Sequence, residues 1–370
     1  MKMLKNLILS LVIPAPFFNT GAAQGPASSP ENLIIVTLDG YRWQEFFGGL
    51  QQKMLESRYC HQPELLQRDF GADTPQESRR RIMPFMWDVI ARQGVVLGNP
   101  AYGSRHNLRN PYWFSYPGYS ELFCGRVDKK INSNGYRRNP NFTLFDALAA
   151  DARFRGRMAI FGTWNAFPRI INAWRNGTDY FVDLSPDSGS GLRSRPLHFR
   201  TYWTRPPASF AGAEKDTFTF RFAMEYITRF KPRVVHIGFD ETDHFGHSGH
   251  YDHYIRAAHL QDAYLRYLWD WIQDVPEYRN KTLLVVTTDH GRGEDPVEKW
   301  QHHNRRHGGR EVWVAMMGPG VPAAGEWQQP ADTWQEQVAP TLAALMGVHM
   351  KPHKKLAQPL EPVIKGLEKQ

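Results

Sequence analysis

Residues 33–38 form a nearly unbroken apolar run (LIIVTL) that stops at Asp39-Gly40. A run this short, rich in β-branched side chains and closed by an Asp-Gly pair, predicts a strand buried on both faces that delivers an acid at its carboxyl end. Runs of the same form occupy residues 158–161 before Gly162-Thr163-Trp164, residues 234–239 before Asp240-Glu241-Thr242-Asp243, and residues 283–288 before Asp289-His290-Gly291. Between them lie helical patterns at 84–93 closed by Gly94, at 144–150, at 251–272, and at 333–346 closed by Gly347. Strands alternating with helices predict an α/β fold of three layers, α/β/α, with a mostly parallel central sheet. Ligands of such sheets bind beyond the carboxyl ends of the strands, where three of these runs end in Asp or Asp-His. Residues 165–231, rich in Arg, Pro, Ser and aromatics with weak periodicity, read as a cap inserted over the sheet edge.

Composition narrows the class. A chain of 370 residues, 41% hydrophobic, is long enough to bury a large core, and residues 24–370 read as one catalytic domain. Lys2 and Lys5, the apolar run at 7–18 and the small residues Gly21, Ala22 and Ala23 predict a cleaved signal peptide over residues 1–23, hence export to the periplasm or the exterior. Pro14 and Pro16 interrupt that run, which argues against an anchoring helix, and no later stretch is apolar enough for a transmembrane anchor. The only cysteines, Cys60 and Cys124, form no C-x-x-C motif, and an oxidising compartment would permit one disulfide between them. The formal charge of +8 suits an anionic substrate. The clusters Arg79-Arg80-Arg81 and Arg305-Arg306 are too short to indicate a nucleic-acid-binding module.

Candidate chemistry falls into three clusters. Asp39, Asp289 and His290 offer hard carboxylate oxygens and an imidazole nitrogen at strand ends, the usual ligands of zinc or a related divalent ion. Asp243 and His247 stand four residues apart, and a sharp turn at Gly246 would let both face one ion. Asp240 with His244 has the same spacing and is the competing pair, in a tract where histidines recur at 244, 247, 250 and 253. Ser115, before an aromatic-Pro-Gly sequence and a helical stretch, is expected at a helix N-terminus, where backbone N–H groups favour phosphate. Its hydroxyl is a weak nucleophile until ionised, and a metal ion can ionise it.

The segments Val36-Thr37-Leu38-Asp39-Gly40-Tyr41, Ser115-Tyr116-Pro117-Gly118-Tyr119, Asp243-His244-Phe245-Gly246-His247 and Thr288-Asp289-His290-Gly291 follow one another in the order found in the alkaline phosphatase superfamily. They resemble most its nucleotide pyrophosphatase/phosphodiesterase branch. Pro84 with Gly94, Gly318-Pro319-Gly320 and the stretch from Gln337 to Gly347 extend the likeness over residues 32–347. The resemblance implies an alkaline phosphatase-like catalytic domain that binds two divalent metal ions, Zn2+ with Mn2+ or Mg2+ as alternatives. One ion would be held by Asp39, Asp289 and His290, with Ser115 bridging toward both. The other would be held by Asp243, His247 and a later histidine, His303 by the relatives' spacing, with His302 and His307 in the same interval. Asn132 or Asn134 would bind the phosphoryl oxygen. The implied reaction is hydrolysis of an anionic phosphate ester, phosphodiester or phosphomonoester, through a phosphoseryl intermediate.

Ser115 and Gly118 depart from the phosphodiesterase branch, where threonine is the common nucleophile. Of the alternatives within the fold, a sulfatase takes its nucleophile from a Cys in a C-x-P-x-R context, which Cys124-Gly125-Arg126 does not match. A phosphomutase of this scaffold acts on a cytoplasmic substrate, against the predicted leader. A catalytically silent secreted binding protein has no physical need to keep so complete a set of ligands and a nucleophile.

Overall fold

The computed structural model describes residues 29–135, 137–182, 215–293, 297–303, 305 and 307–368. The predicted leader and residues 183–214 lie outside them. Four of the strands are the apolar runs of the sequence: β1 (Asn32–Leu38), β4 (Met158–Gly162), β6 (Val234–Phe239) and β7 (Thr282–Thr287), every residue buried. The others are β2 (Gly94–Leu97), β3 (Ser104–Asn107), β5 (Asp179–Val182), β8 (Glu311–Val312), β9 (Val314–Met317), β10 (Gly325–Glu326) and β11 (Ala331–Trp334).

The described residues form an eight-stranded sheet in the order β10-β2-β9-β7-β1-β6-β4-β5, with β3, β8 and β11 in a small second sheet. From β7 to β5 neighbours are parallel, whereas β9 is antiparallel to both β7 and β2. β1 lies between β6 and β7, so the carboxyl ends of these three strands open on one crevice.

Alternation along β1 divides the apolar interior into two cores. Ile34, Val36 and Leu38 pack with the long helix Tyr251–Asp274 and the helix Lys215–Phe230 on one face. Leu33 and Ile35 face the helices Ser115–Cys124, Leu144–Ala150 and Val338–Leu345 on the other. This is the three-layer α/β/α arrangement.

The element boundaries refine the sequence reading at three places. The segment expected as helix from 333 begins as strand β11, because Thr333 and Trp334 pair with His106 and Asn107 of β3; the α-helix starts at Val338. Gly94 closes the preceding helix, as expected, and also opens β2, where a Cβ would lie 1.9 Å from the Met316 carbonyl oxygen of β9. The described ends of the 165–231 segment belong to the main sheet layer, as β5 and the helix Lys215–Phe230, which packs on β4 and β6. None of the helices in the described residues is long and apolar enough to cross a membrane.

Candidate metal centre and nucleophile

Asp39 leaves β1 and is 3% exposed, while Asp289 and His290 follow β7 and are fully buried. Gly40 makes the turn after Asp39 with φ 60°, and a Cβ there would lie 2.8 Å from Asp243 Oδ1. That close approach draws the helix Glu241–Ser248 onto the β1 end. Gly40 N–H donates to Asp289 Oδ1 (3.1 Å), Tyr119 OH donates to Asp39 Oδ2 (3.2 Å), and the Thr242 hydroxyl donates to the Asp39 carbonyl (2.6 Å). His290 Nδ1 faces the Gly291 carbonyl at 2.8 Å, and a carbonyl can only accept, so Nδ1 carries the proton. Its Nε2 then points at Asp39 Oδ1 (3.2 Å), Asp289 Oδ2 (3.6 Å), Asp243 Oδ1 (3.9 Å) and Ser115 Oγ (3.4 Å).

The electrostatics of this cluster are those of crowded carboxylates. Burial, then the charge of Asp243, raises the pKa of Asp39; burial, then Asp39, raises Asp289 well above the usual carboxylate range. Burial with Asp39 and Asp243 lifts Asp240 to about 7. Burial alone would depress His290, yet Asp289 and Asp39 bring it up to about 10. Asp243 goes the other way: against its burial, the Arg292 guanidinium and His247 hold it well below the ordinary value. Among the described residues, Asp39 Oδ1 and Asp289 Oδ2 are buried without hydrogen-bond partners. Converging acids with orphaned oxygens are a donor set that a divalent cation neutralises.

Beside it stands a second group. His247 Nε2 is 3.3 Å from Asp243 Oδ2 and 3.1 Å from His303 Nε2. The ligand atoms of Asp243, His290 and His303 lie within 4.8 Å of one another, as do those of Asp39, Asp289 and His290. Donor atoms bonded to one tetrahedral zinc at ~2.0–2.1 Å stand roughly 3.3 Å apart, so these spacings fit an ion. The geometry joins His247, not His244, to Asp243, and buries His303 while His302 and His307 stay exposed. Asp240 precedes the helix and His244 is half-buried on its side; neither belongs to these groups. Gly246 lies within the helix Glu241–Ser248 rather than at a sharp turn. Its missing side chain admits Arg292, whose Cζ would sit 2.5 Å from a Cβ.

Ser115 opens the helix Ser115–Cys124. Pro117 supplies no N–H and Asn134 Oδ1 accepts that of Tyr116 (2.9 Å), so the helix offers the positive end of its dipole rather than a ring of first-turn amides. Asn134 is thereby tied to this helix end; Asn132 is exposed on the same loop. Trp113 precedes with φ 56°, a costly conformation for a bulky residue. Asn110 Oδ1 holds that turn by accepting from Tyr112 N (2.9 Å) and Trp113 N (3.1 Å), and Glu121 accepts from Arg109 N, Asn110 N and Asn110 Nδ2 at 2.8–2.9 Å. The helix thus braces the turn that presents its own first residue. Gly118 lets it reach the ligand strand, since a Cβ there would lie 2.2 Å from the Asp289 carbonyl oxygen.

Sequence reasoning missed these supports, and Arg292 with them. Fully buried, Arg292 pairs with Asp243 Oδ1 and donates from Nε to Trp300 O (2.9 Å) and from Nη2 to Gln301 O (2.7 Å). It fixes the helix that carries Asp243 and the segment leading to His303 together. Its place directly after Asp289-His290-Gly291 was the available signal. Within the segment read as a cap, two side chains are structural: Phe167 is 2% exposed against Tyr119, and Arg175 pairs with Asp146. Trp164 does reach the Ser115 helix, at Tyr116 and Tyr119; Tyr202, Trp203 and Arg205 lie outside the described residues.

Residues 214–353 match the model of the Metalloenzyme superfamily. Among solved structures, alkaline phosphatase PafA is 11% identical, with 91% of this chain and 99% of that one covered at a TM-score of 0.57. The lipoteichoic acid synthase LtaP from Listeria monocytogenes is 12% identical, covering 91% and 76% at 0.56, and a 2-O GAG sulfatase, BT1596, is 14% identical, covering 92% and 75% at 0.55. At these identities the likeness establishes the fold. None of the curated proteins matches the chain by sequence. The family match falls on the segment that carries Asp243, His247, Asp289, His290 and His303, and the fold is the one shared with alkaline phosphatase PafA.

Proposed function

We propose that this protein is an exported, metal-dependent hydrolase of phosphate esters that uses Ser115 as its nucleophile. The observation that carries the reading is the placement of Ser115 Oγ, at a helix N-terminus, 3.4 Å from His290 Nε2 and against the Asp39, Asp289 and His290 cluster. Asp39, Asp289 and His290 would hold one cation, and Asp243, His247 and His303 the other, zinc being favoured by the mixture of imidazole and carboxylate donors. When bound, the two cations supply acidification of the serine hydroxyl and neutralisation of phosphoryl charge.

The chain's own residues do the rest. The braced turn before Ser115 aims Oγ at phosphorus, and the Oγ–P bond forms as the ester oxygen leaves, giving a phosphoseryl intermediate that water hydrolyses. The helix dipole at Ser115 favours the phosphoryl anion there, and the Asn134 carboxamide, fixed on Tyr116 N, stands at the same edge to contact it. Tyr119 and Gly40 hold Asp39 and Asp289 in orientation. Trp164, lying against Tyr116 and Tyr119, supports a substrate with a sizeable organic group, in keeping with a diester.

The test is turnover of nitrophenyl phosphate, bis(nitrophenyl) phosphate and nitrophenyl sulfate by metal-loaded protein, with acid quenching to trap phosphoserine at Ser115. Phosphate-ester turnover with label on Ser115 supports the proposal. A preference for the sulfate would move the chain to the sulfatase side of the fold, and turnover without a labelled serine would remove Ser115 from its role.

A further inference from the structure

Outside this centre, the loop before Gln62 and the start of the long helix Tyr251–Asp274 bring His61, His250 and Asp252 together, their ligand atoms all within 4.8 Å of one another. His61 Nδ1 and His250 Nδ1 face each other at 3.3 Å. Two imidazole nitrogens that close either share a proton or share an ion, and the spacing matches the roughly 3.3 Å edge of a tetrahedral zinc site. Asp252 supplies an independent observation. It is 3% exposed, and its Oδ1 is buried without a hydrogen-bond partner among the described residues. Nor does any Lys, Arg or His there form a salt bridge with it. A buried carboxylate oxygen without a partner is a group that a bound cation would satisfy.

We infer that His61, His250 and Asp252 form a further metal site, taking a divalent transition-metal cation of the zinc class through two imidazole nitrogens and one carboxylate oxygen. The donor set excludes magnesium and calcium as preferred occupants, since these take oxygen ligands. The site is distinct from the candidate catalytic centre, with which it shares no residue.

Its physical role follows from what it ties together. The loop at 57–61 already meets the helix start through Tyr251 N donating to Tyr59 O (2.8 Å), and Tyr59 and Tyr251 both pack on Trp300, with ring centroids 5.6 and 5.7 Å away. Trp300 O in turn accepts from Arg292. A cation at His61, His250 and Asp252 clamps the outer end of this stack, two aromatic layers from the arginine that orients Asp243. It acts as a structural ion, so its loss lowers thermal stability rather than removing a reacting group.

The experiment uses the full chain, stripped with chelator and titrated with zinc against a competing chelator, with bound metal counted by elemental analysis. His61→Ala, His250→Ala and Asp252→Asn are each expected to bind one equivalent fewer than the parent and to lose part of the zinc-induced rise in Tm; His253→Ala should bind as the parent does. His61 is exposed, so His61→Ala keeps the test open if Asp252→Asn fails to fold. Cobalt substitution gives a second readout, the difference spectrum between parent and His61→Ala reporting this ion alone. Equal stoichiometry and affinity in the parent, His61→Ala and His250→Ala would overturn the inference. Because the measured quantity is a difference of one equivalent, it stands or falls independently of Asp39, Asp289 and Ser115.

Discussion

Replacing Gly118 by alanine adds one methyl group at the contact between the Ser115 helix and the ligand strand. The added Cβ would lie 2.2 Å from the Asp289 carbonyl oxygen, and ordinary van der Waals contact begins at 3.4 Å, so helix and strand must separate by about 1.2 Å. Asp289 is backbone at that contact and cannot rotate away. Overpacking of this kind costs about 1–3 kcal/mol, while alanine regains about 1 kcal/mol of helix propensity, which leaves a net stability loss of about 0–2 kcal/mol. The effect on chemistry is larger, because Ser115 rides on the displaced helix while Asp289 and His290 stay on β7. A displacement of ~1 Å between reacting groups can lower rate by about 10²-fold. Gly118→Ala should therefore fold, bind metal, and turn over nitrophenyl phosphate about a hundredfold more slowly, chiefly in kcat. Measured kcat, metal content and Tm separate the two effects. Activity within threefold of the parent would show that this contact does not set the position of Ser115.

Ser115→Ala should remove nearly all turnover with metal content intact, whereas Ser120→Ala, whose hydroxyl is occupied with Asn139 Nδ2 and Cys124, should stay within about threefold; equal losses would refute the choice of nucleophile. His247→Ala should lower metal occupancy more than His244→Ala, as counted by elemental analysis, because only His247 reaches Asp243 and His303. Chelation should abolish activity and added zinc restore it; turnover indifferent to chelator would refute the two-ion reading. Glu121→Ala should lower both Tm and kcat, since three donors lose their acceptor, and Glu121→Gln should recover part of each. Burial raises the Glu121 pKa from 4.5 to about 7, so its contribution to stability is full below pH 4.5 and is lost as pH rises toward 7; the difference in Tm between the parent and Glu121→Gln should change across that window and flatten above it.

What the sequence disclosed was whatever depends on local pattern. Apolar runs that end in acids revealed β1, β6 and β7, and with them the edge where Asp39, Asp243 and Asp289 converge. What it hid depends on contacts between distant segments. The relatives' spacing favoured His303 but left His302 and His307 in the same interval, and what brings His303 to His247 is Arg292 gripping the Trp300 and Gln301 carbonyls. Gly118 read as a departure from relatives, yet its reason lies in a backbone oxygen 171 residues away along the chain, at Asp289. Thr333 and Trp334 sit in a helix-like pattern, and only their pairing with β3 makes them strand.

The two apolar cores have a consequence for where such a chain can live. Cys60 packs in one core, Cys124 is buried at the end of the helix Ser115–Cys124 that packs into the other, and both remain free thiols. Burial raises the pKa of each, that of Cys124 to about 11, which withholds the reactive thiolate. Oxidants can join these sulfurs only while the chain is unfolded. A cross-linked monomer would therefore be a record of oxidation that outran folding, and its abundance would measure which of the two came first.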